Sequence, residues 1–181
     1  MPSPKQPEGL QQAILTAARR LFGNLGYAAT SIADIAEDAG TSKAAVFYYF
    51  HSKEDLLEAL LESFIGGLAN LTARASKEHL SAETLLRAYI DGAMKSGWLT
   101  ALSNDLSVRE YLTHHNVVEN CEQIVLLLAG PTPSSSSLLR ARAAFAIAQN
   151  AGRFQQDCRQ ELSEDEIADE LVSAALRVLS K

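Results

Sequence analysis

The sequence lacks most of what a catalytic, exported or metal-bound protein would need. Its two cysteines, Cys121 and Cys158, lie far apart in 181 residues and outside any run of metal-binding side chains. No disulfide framework or thiolate metal site is therefore expected, and a cytoplasmic setting is the simplest one. Uninterrupted apolar runs are short: one such as Ile124 to Ala129 falls far below the roughly 20 residues of a bilayer span, so no membrane partner is expected. The opening MPSPKQPEG has no apolar segment of the signal-peptide kind and reads as a loose arm. No stretch alternates polar and apolar residues, so strands are not expected, and neither is a glycine-rich phosphate cradle following one. The acid pairs Asp34 with Glu37 and Glu164 with Asp165 sit at helix starts, where capping and the helix dipole account for them. His114 and His115 mark a helix break with no third ligand nearby, so no metal is assigned. No serine, cysteine or histidine has a nucleophile's context, and the chain is read as a non-enzyme without cofactor. Positive charge is scarce too, since the net of −6 has the wrong sign for a polyanionic partner.

What is present is helical spacing almost throughout, in a chain that is 47% hydrophobic and long enough to bury a real core. The fold class expected is all-α: an N-terminal three-helix domain with a helix-turn-helix, then a larger helical bundle, divided into residues 1–53 and 54–181. Ile14, Ala17, Ala18, Leu21 and Phe22 form one stripe on a first helix from about Gly9 to Asn24, closed by Gly26. Thr30 or Ser31 caps a short helix carrying Ile32, Ile35 and Ala36; Gly40 ends it. Thr41 or Ser42 caps the next, with Ala45, Val46 and Phe50 inward. Ser52 opens a long helix bearing Leu56, Leu57, Leu60, Phe64, Leu68 and Leu71, a lever between the two parts. Further helices are expected from Ser81 to Gly97, less regularly from Leu102 to Leu112, then Val117 to Ala129, Leu138 to Gly152 and Ser163 to Ser180. Ala141, Ala144, Phe145 and Ala148 make a small-residue face suited to close approach and are read as an interface surface.

Charge is unevenly spread. Residues 1–53 carry a formal +1 and the remainder −7, so any phosphate-facing surface belongs to the first third. The ordered series of striped helix, short helix, glycine and capped second helix presents an element narrow enough for the major groove, where base pairs differ in donor and acceptor pattern. Ser42, Lys43 and Ala44 lie at its leading end: the hydroxyl can donate or accept, the ammonium suits guanine O6 or N7, and the methyl suits a thymine methyl. Thr41, Tyr48 and Lys53 are better placed for phosphates; Tyr49 can serve either purpose. Phe47 or Tyr49 can alternatively be read as plain core aromatics.

Residues 12–57 closely resemble the N-terminal domain of the tetracycline-repressor (TetR) family of bacterial regulators. The resemblance is carried by Ala17-Ala18 before Leu21-Phe22, Gly26-Tyr27, Thr30-Ser31-Ile32, Ile35-Ala36, Ala39-Gly40, Ser42-Lys43 and Tyr48-Tyr49-Phe50 before Ser52-Lys53-Glu54, about a quarter of the chain. It implies that Thr41, Ser42, Lys43, Ala44, Phe47, Tyr48, Tyr49 and Lys53 are the DNA-facing positions. Two departures stand out: Phe47 where tyrosine is frequent, and Tyr49 where histidine is common. The resemblance further implies a divergent helical domain that binds a small molecule and dimerises through its last two long helices, here near 138–152 and 163–180. The partners expected are double-stranded operator DNA, a small and largely apolar effector, and a second copy of the chain. The candidate effector lining comprises Phe64, Leu68, Tyr89, Met94, Trp98, Leu102, Tyr111, His114, Phe145 and Asn150, apolar with a few polar handles. The competing reading is a helical ligand-binding or adaptor protein without sequence-specific DNA binding, which the small positive charge favours.

Overall fold

The computed structural model describes residues 7–102 and 105–180; the arm at Met1 to Gln6 lies outside them. Among the described residues there are α-helices and one 3-10 segment, and no strand. The helices are α1 (Pro7–Leu25), α2 (Ile32–Asp38), α3 (Lys43–Tyr49), α4 (Lys53–Glu78), α5 (Ala82–Lys95), α6 (Leu106–His114), α7 (Val117–Ala129), α8 (Ser135–Gln149), α9 (Ala151–Cys158) and α10 (Glu164–Leu179), with the 3-10 segment Gly97–Leu102 between α5 and α6. The less regular stretch expected from Leu102 to Leu112 is thus a 3-10 turn followed by a separate helix. The helix expected from Leu138 to Gly152 begins earlier and breaks at Asn150, whose side chain bonds back to the Ala146 carbonyl at 2.8 Å.

Two apolar cores share α4. The first gathers Ile14, Ala18, Phe22, Ile35, Val46 and Phe50 from α1, α2 and the α3 region, with Leu56, Leu57, Leu60 and Leu61 of α4. It also takes in Leu102 and Val108, so it reaches well past residue 53 and is closed by a segment from the larger domain. The second core, from Leu68 onward, joins α4 to α5, α7, α8 and α10 through residues such as Leu86, Ile90, Ile124, Phe145 and Val172. By length and composition alone α4 would suit a bilayer, but Leu56, Leu57, Leu60, Leu61, Leu68 and Leu71 are spent on these two cores.

The small-residue face of α8 has a different use from the one its pattern suggested. Ala141, Ala144, Phe145 and Ala148 are sealed inside the single chain, and α10 is the helix packed most extensively on α8. Those four side chains are therefore not available to a second copy. An interface on α8 must use its other face, where Leu139 is 69% exposed.

Two glycines meet in a very close approach. A Cβ on Gly152 would lie 2.5 Å from the Gly97 Cα and 3.0 Å from the Ala93 carbonyl oxygen, so only glycine lets α9 cross the end of α5. One residue further on, Trp98 packs over Gly23 of α1, where a Cβ would stand 3.4 Å from the Trp98 Cβ. The 3-10 segment thereby joins α9 to the first helix.

Candidate nucleic-acid interface

The turn between α2 and α3 follows from two local devices. Gly40 takes φ +66, the left-handed region that favours glycine, and the Gly40 and Thr41 amides donate to the Glu37 and Ala36 carbonyls at 3.1 and 2.9 Å. This paired closure satisfies the open carbonyls of α2 and turns the chain sharply. Ser42 then starts α3, its hydroxyl oxygen accepting from the Ala45 amide at 3.1 Å. At the other end of α2, Ser31 and Asp34 cap each other reciprocally, and these hydrogen bonds hold the Asp34 carboxyl below the usual carboxylate range.

With its two ends fixed, α3 buries Val46 completely and turns its other side outward. Ser42, Lys43, Ala44, Phe47 and Tyr48 are exposed, Thr41 and Tyr49 are half-buried, and Phe50 closes the core. Tyr48 is 78% exposed and Phe47 46%, a large apolar expense for a free surface. The Tyr48 and Tyr49 rings meet edge to face at 5.1 Å, which stiffens both. Lys43 has no ion pair or hydrogen bond among the described residues, although its charge helps to hold the Asp34 carboxyl down.

Lys53 is engaged elsewhere. Its ammonium donates to the Tyr27 and Thr30 carbonyls at 2.8 and 3.0 Å and lies 4.2 Å from the centre of the Tyr27 ring. The phosphate role expected of it is thus joined to a structural one: two of its three N–H donors tie the α1–α2 connection to the start of α4. Tyr27 completes the clasp by donating to Glu54 at 3.2 Å; its phenol is pushed upward in pKa, mainly by burial and then by Glu54. Asp105, at the start of α6, accepts from the Ala28 amide of the same connection at 3.2 Å. Arg20 is paired with Asp38, so its charge is partly spent.

The candidate effector residues do not converge on one cavity. Phe64, Leu68 and Tyr89 share a cleft of about 310 Å³ between α4 and α5. Phe145 stacks edge to face on Tyr89 at 4.6 Å but opens onto a separate groove, of about 420 Å³, bordered by α6, α7 and α8. Met94 is sealed in the second core, whereas Leu102, Trp98 and Tyr111 belong to the first, closing the joint to α1. His114 and Asn150 are exposed at helix ends. Residue type selected these positions, and packing distributes them among three places. Ser63, Gly67, Asn70, Arg74, Gly92, Lys95 and Ser96 complete the α4–α5 cleft and were missed, because a cleft walled by small residues leaves no apolar signal in a sequence.

Comparison with known proteins adds a sequence pattern and a fold to this geometry. The sequence pattern of the bacterial regulatory proteins of the tetR family matches residues 14–60. The chain has the fold of a transcriptional regulator of the TetR/AcrR family from Thermobifida fusca YX-ER1, with a TM-score of 0.61 and 26% identity, covering 93% of this chain and 97% of that one. The first third of the chain thus carries the tetR-family sequence pattern, and the chain as a whole has the TetR/AcrR fold. A further family structure, from Aquifex aeolicus VF5, has a TM-score of 0.68 at 17% identity over 94% of this chain and 99% of that one, a likeness of fold alone. Sequence similarity is concentrated at the N-terminus. The HTH-type transcriptional regulator TtgR of Pseudomonas putida is 46% identical over 50 residues, 28% of this chain and 24% of that protein. The HTH-type transcriptional repressor KstR2 of Mycolicibacterium smegmatis is 33% identical over 66 residues, 36% of this chain and 32% of that protein. The aligned part thus spans only about a quarter to a third of these curated relatives' own length. Within the TetR/AcrR frame, the two departures at Phe47 and Tyr49 both fall on the outward side of α3 or its edge, where they alter surface chemistry and leave the core intact.

Proposed function

We propose that the chain is a DNA-binding transcriptional regulator, a repressor that grips a palindromic operator as a homodimer and is released by a small effector. The observation that carries this reading is the outward face of α3, with Lys43 unpaired and Phe47 and Tyr48 uncovered on a helix fixed by Ser42 and the Gly40 turn. Ser42, Lys43 and Ala44 are the base-edge residues; Thr41, Tyr48 and the remaining donor of Lys53 fix register on phosphates, with Tyr49 and Phe47 against the backbone. Pairing of two copies through the outer sides of α8 and α10 supplies a second reading helix, which one short α3 needs for adequate contact. Activity belongs to the bacterial cytoplasm, where operator DNA lies.

Mobility shifts with duplexes flanking the chain's own gene test this reading. Lys43→Ala is expected to erode discrimination between operator and random duplex by about 1–3 kcal/mol, while binding retains its salt dependence. Equal affinity of the unaltered protein for operator and random DNA at every salt concentration would instead favour the ligand-binding adaptor, a reading supported by the engagement of Lys53 and Arg20 within the fold.

A further inference from the structure

We propose that the cleft between α4 and α5 binds an amphiphilic organic acid, its apolar body on Phe64, Leu68, Leu71 and Tyr89 and its acidic group drawn by Arg74 and Lys95. The regulatory consequence rests on the reading above; the binding itself is a property of the cleft. α4 and α5 are consecutive helices joined by the short turn 79–81, and two glycines keep them from filling the space between them. A Cβ on Gly67 or on Gly92 would meet nothing within 4 Å, and neither glycine has the positive φ that would demand it. Glycine in a helix interior is less favourable than alanine, so packing and backbone geometry give no reason for either. Space is what they provide, about 310 Å³, at the lower end of the range for small-ligand sites.

The lining has two characters. Its floor is apolar, and Tyr89 is held there by the edge-to-face contact with Phe145. Ser63, Asn70 and Ser96 supply neutral polar groups at the margin, and the two charged residues of the lining, Arg74 and Lys95, are both cations. The rest of the chain beyond residue 53 is strongly acidic, so an all-cationic lining there runs against the local composition. Arg74 has a loose partner, Glu78 at 3.5 Å, which is not part of the lining; Lys95 has no ion pair among the described residues. A negative end group is therefore favoured at this cleft over a positive one, and an uncharged body of aliphatic or aromatic carbon suits the floor.

The cleft also ends where movement would matter. Lys95 and Ser96 lead directly into Gly97, which is pressed against Gly152 on one side and followed by Trp98 on Gly23 of α1. An occupant that displaces the end of α5 shifts the 3-10 segment against the first helix, a second route to the reading helix besides α4.

Calorimetric titration of the full chain with three ligands of equal chain length, decanoate, decanol and decyltrimethylammonium, below their aggregation thresholds, tests the proposal. Decanoate is expected to bind at least tenfold more tightly than decanol, and the cation more weakly than either. Arg74→Gln combined with Lys95→Gln should reduce decanoate to the level of decanol. Gly67→Leu, or Gly92→Leu should the first variant misfold, should abolish binding of both while the helical circular dichroism is kept. Equal affinities for the three ligands, no binding of decanoate, or binding untouched by the leucine variants would overturn the proposal. Mobility shifts on the same preparations separate the two readings. Operator binding without decanoate binding removes only the cleft, and decanoate binding without operator binding removes only the regulator.

Discussion

Between Ser31 and Asp55 each of the three helix starts carries a serine that caps it, and a full glycine closure ends α2; in the larger domain Ser81, Ser134 and Ser163 cap α5, α8 and α10 in the same way, but α7 begins at a left-handed Asn116 and α9 at Asn150, neither with a side-chain cap. The two regions thus obtain their shape by partly different means. In the first, local hydrogen bonds fix the starts of α2, α3 and α4 and the end of α2, so the outward side of α3 is determined within a few residues of sequence. In the second, contacts between distant residues decide more, as where Gly152 presses on Gly97 or α8 packs along α10. A reading head needs a rigid, reproducible surface, and local closure gives one. The ligand response proposed for the larger domain would need alternative packings of nearly equal energy, which long-range contacts through small residues permit.

Substitutions at the glycines should expose this difference most strongly. Gly152→Ala has to move the Gly97 backbone and is expected to cost about 1–3 kcal/mol in urea unfolding. Gly92→Ala, which meets nothing, should be neutral or stabilise by up to about 1 kcal/mol. Equal effects of the two would deny that the α5–α9 crossing depends on close backbone approach. Lys53→Met, which removes the clasp on the Tyr27 and Thr30 carbonyls, should destabilise by roughly 1–3 kcal/mol, and its loss of DNA affinity should exceed that of a lysine serving phosphate alone. Ser52→Ala should cost about 1 kcal/mol through the lost cap of α4.

The smallest effect expected is on the acid side. The carboxyls of Asp34, Asp55 and Glu166 are held below their usual range, first by hydrogen bonds from Ser31, Ser52 and Ser163. Because their folded values lie below the unfolded ones, their contribution is complete above about pH 4–5 and disappears as pH falls through the folded values. Melting curves from pH 6 down to pH 3 should show the decline, and Ser31→Ala should flatten it.

How much could be read in advance follows the same division. Ser31, Gly40, Ser42 and Ser52 announce themselves, since each acts on residues three or four away, and so the helix-turn-helix and the inward side of Val46 and Phe50 were legible. The engagement of Lys53 was not, because its acceptors lie 23 and 26 residues earlier and are carbonyls, which any residue carries. The α8 pattern correctly marked a buried face, but periodicity cannot tell a partner in the same chain from one in another. The break at Asn150 has no proline or glycine at the spot; it becomes intelligible only with Gly152 docked on Gly97. The cleft was the least legible feature of all, being opened by absent side chains at Gly67 and Gly92, and of the large residues chosen only Phe64, Leu68 and Tyr89 line it.

Hydroxyl-radical footprinting of the full chain on a duplex from upstream of its own gene tests the central claim most directly. Two protected patches are expected, related by a twofold and centred about one helical turn, or a whole multiple of it, apart, both weakened by Lys43→Ala. Uniform cleavage along the duplex, under conditions where the protein is folded and in excess, would contradict it.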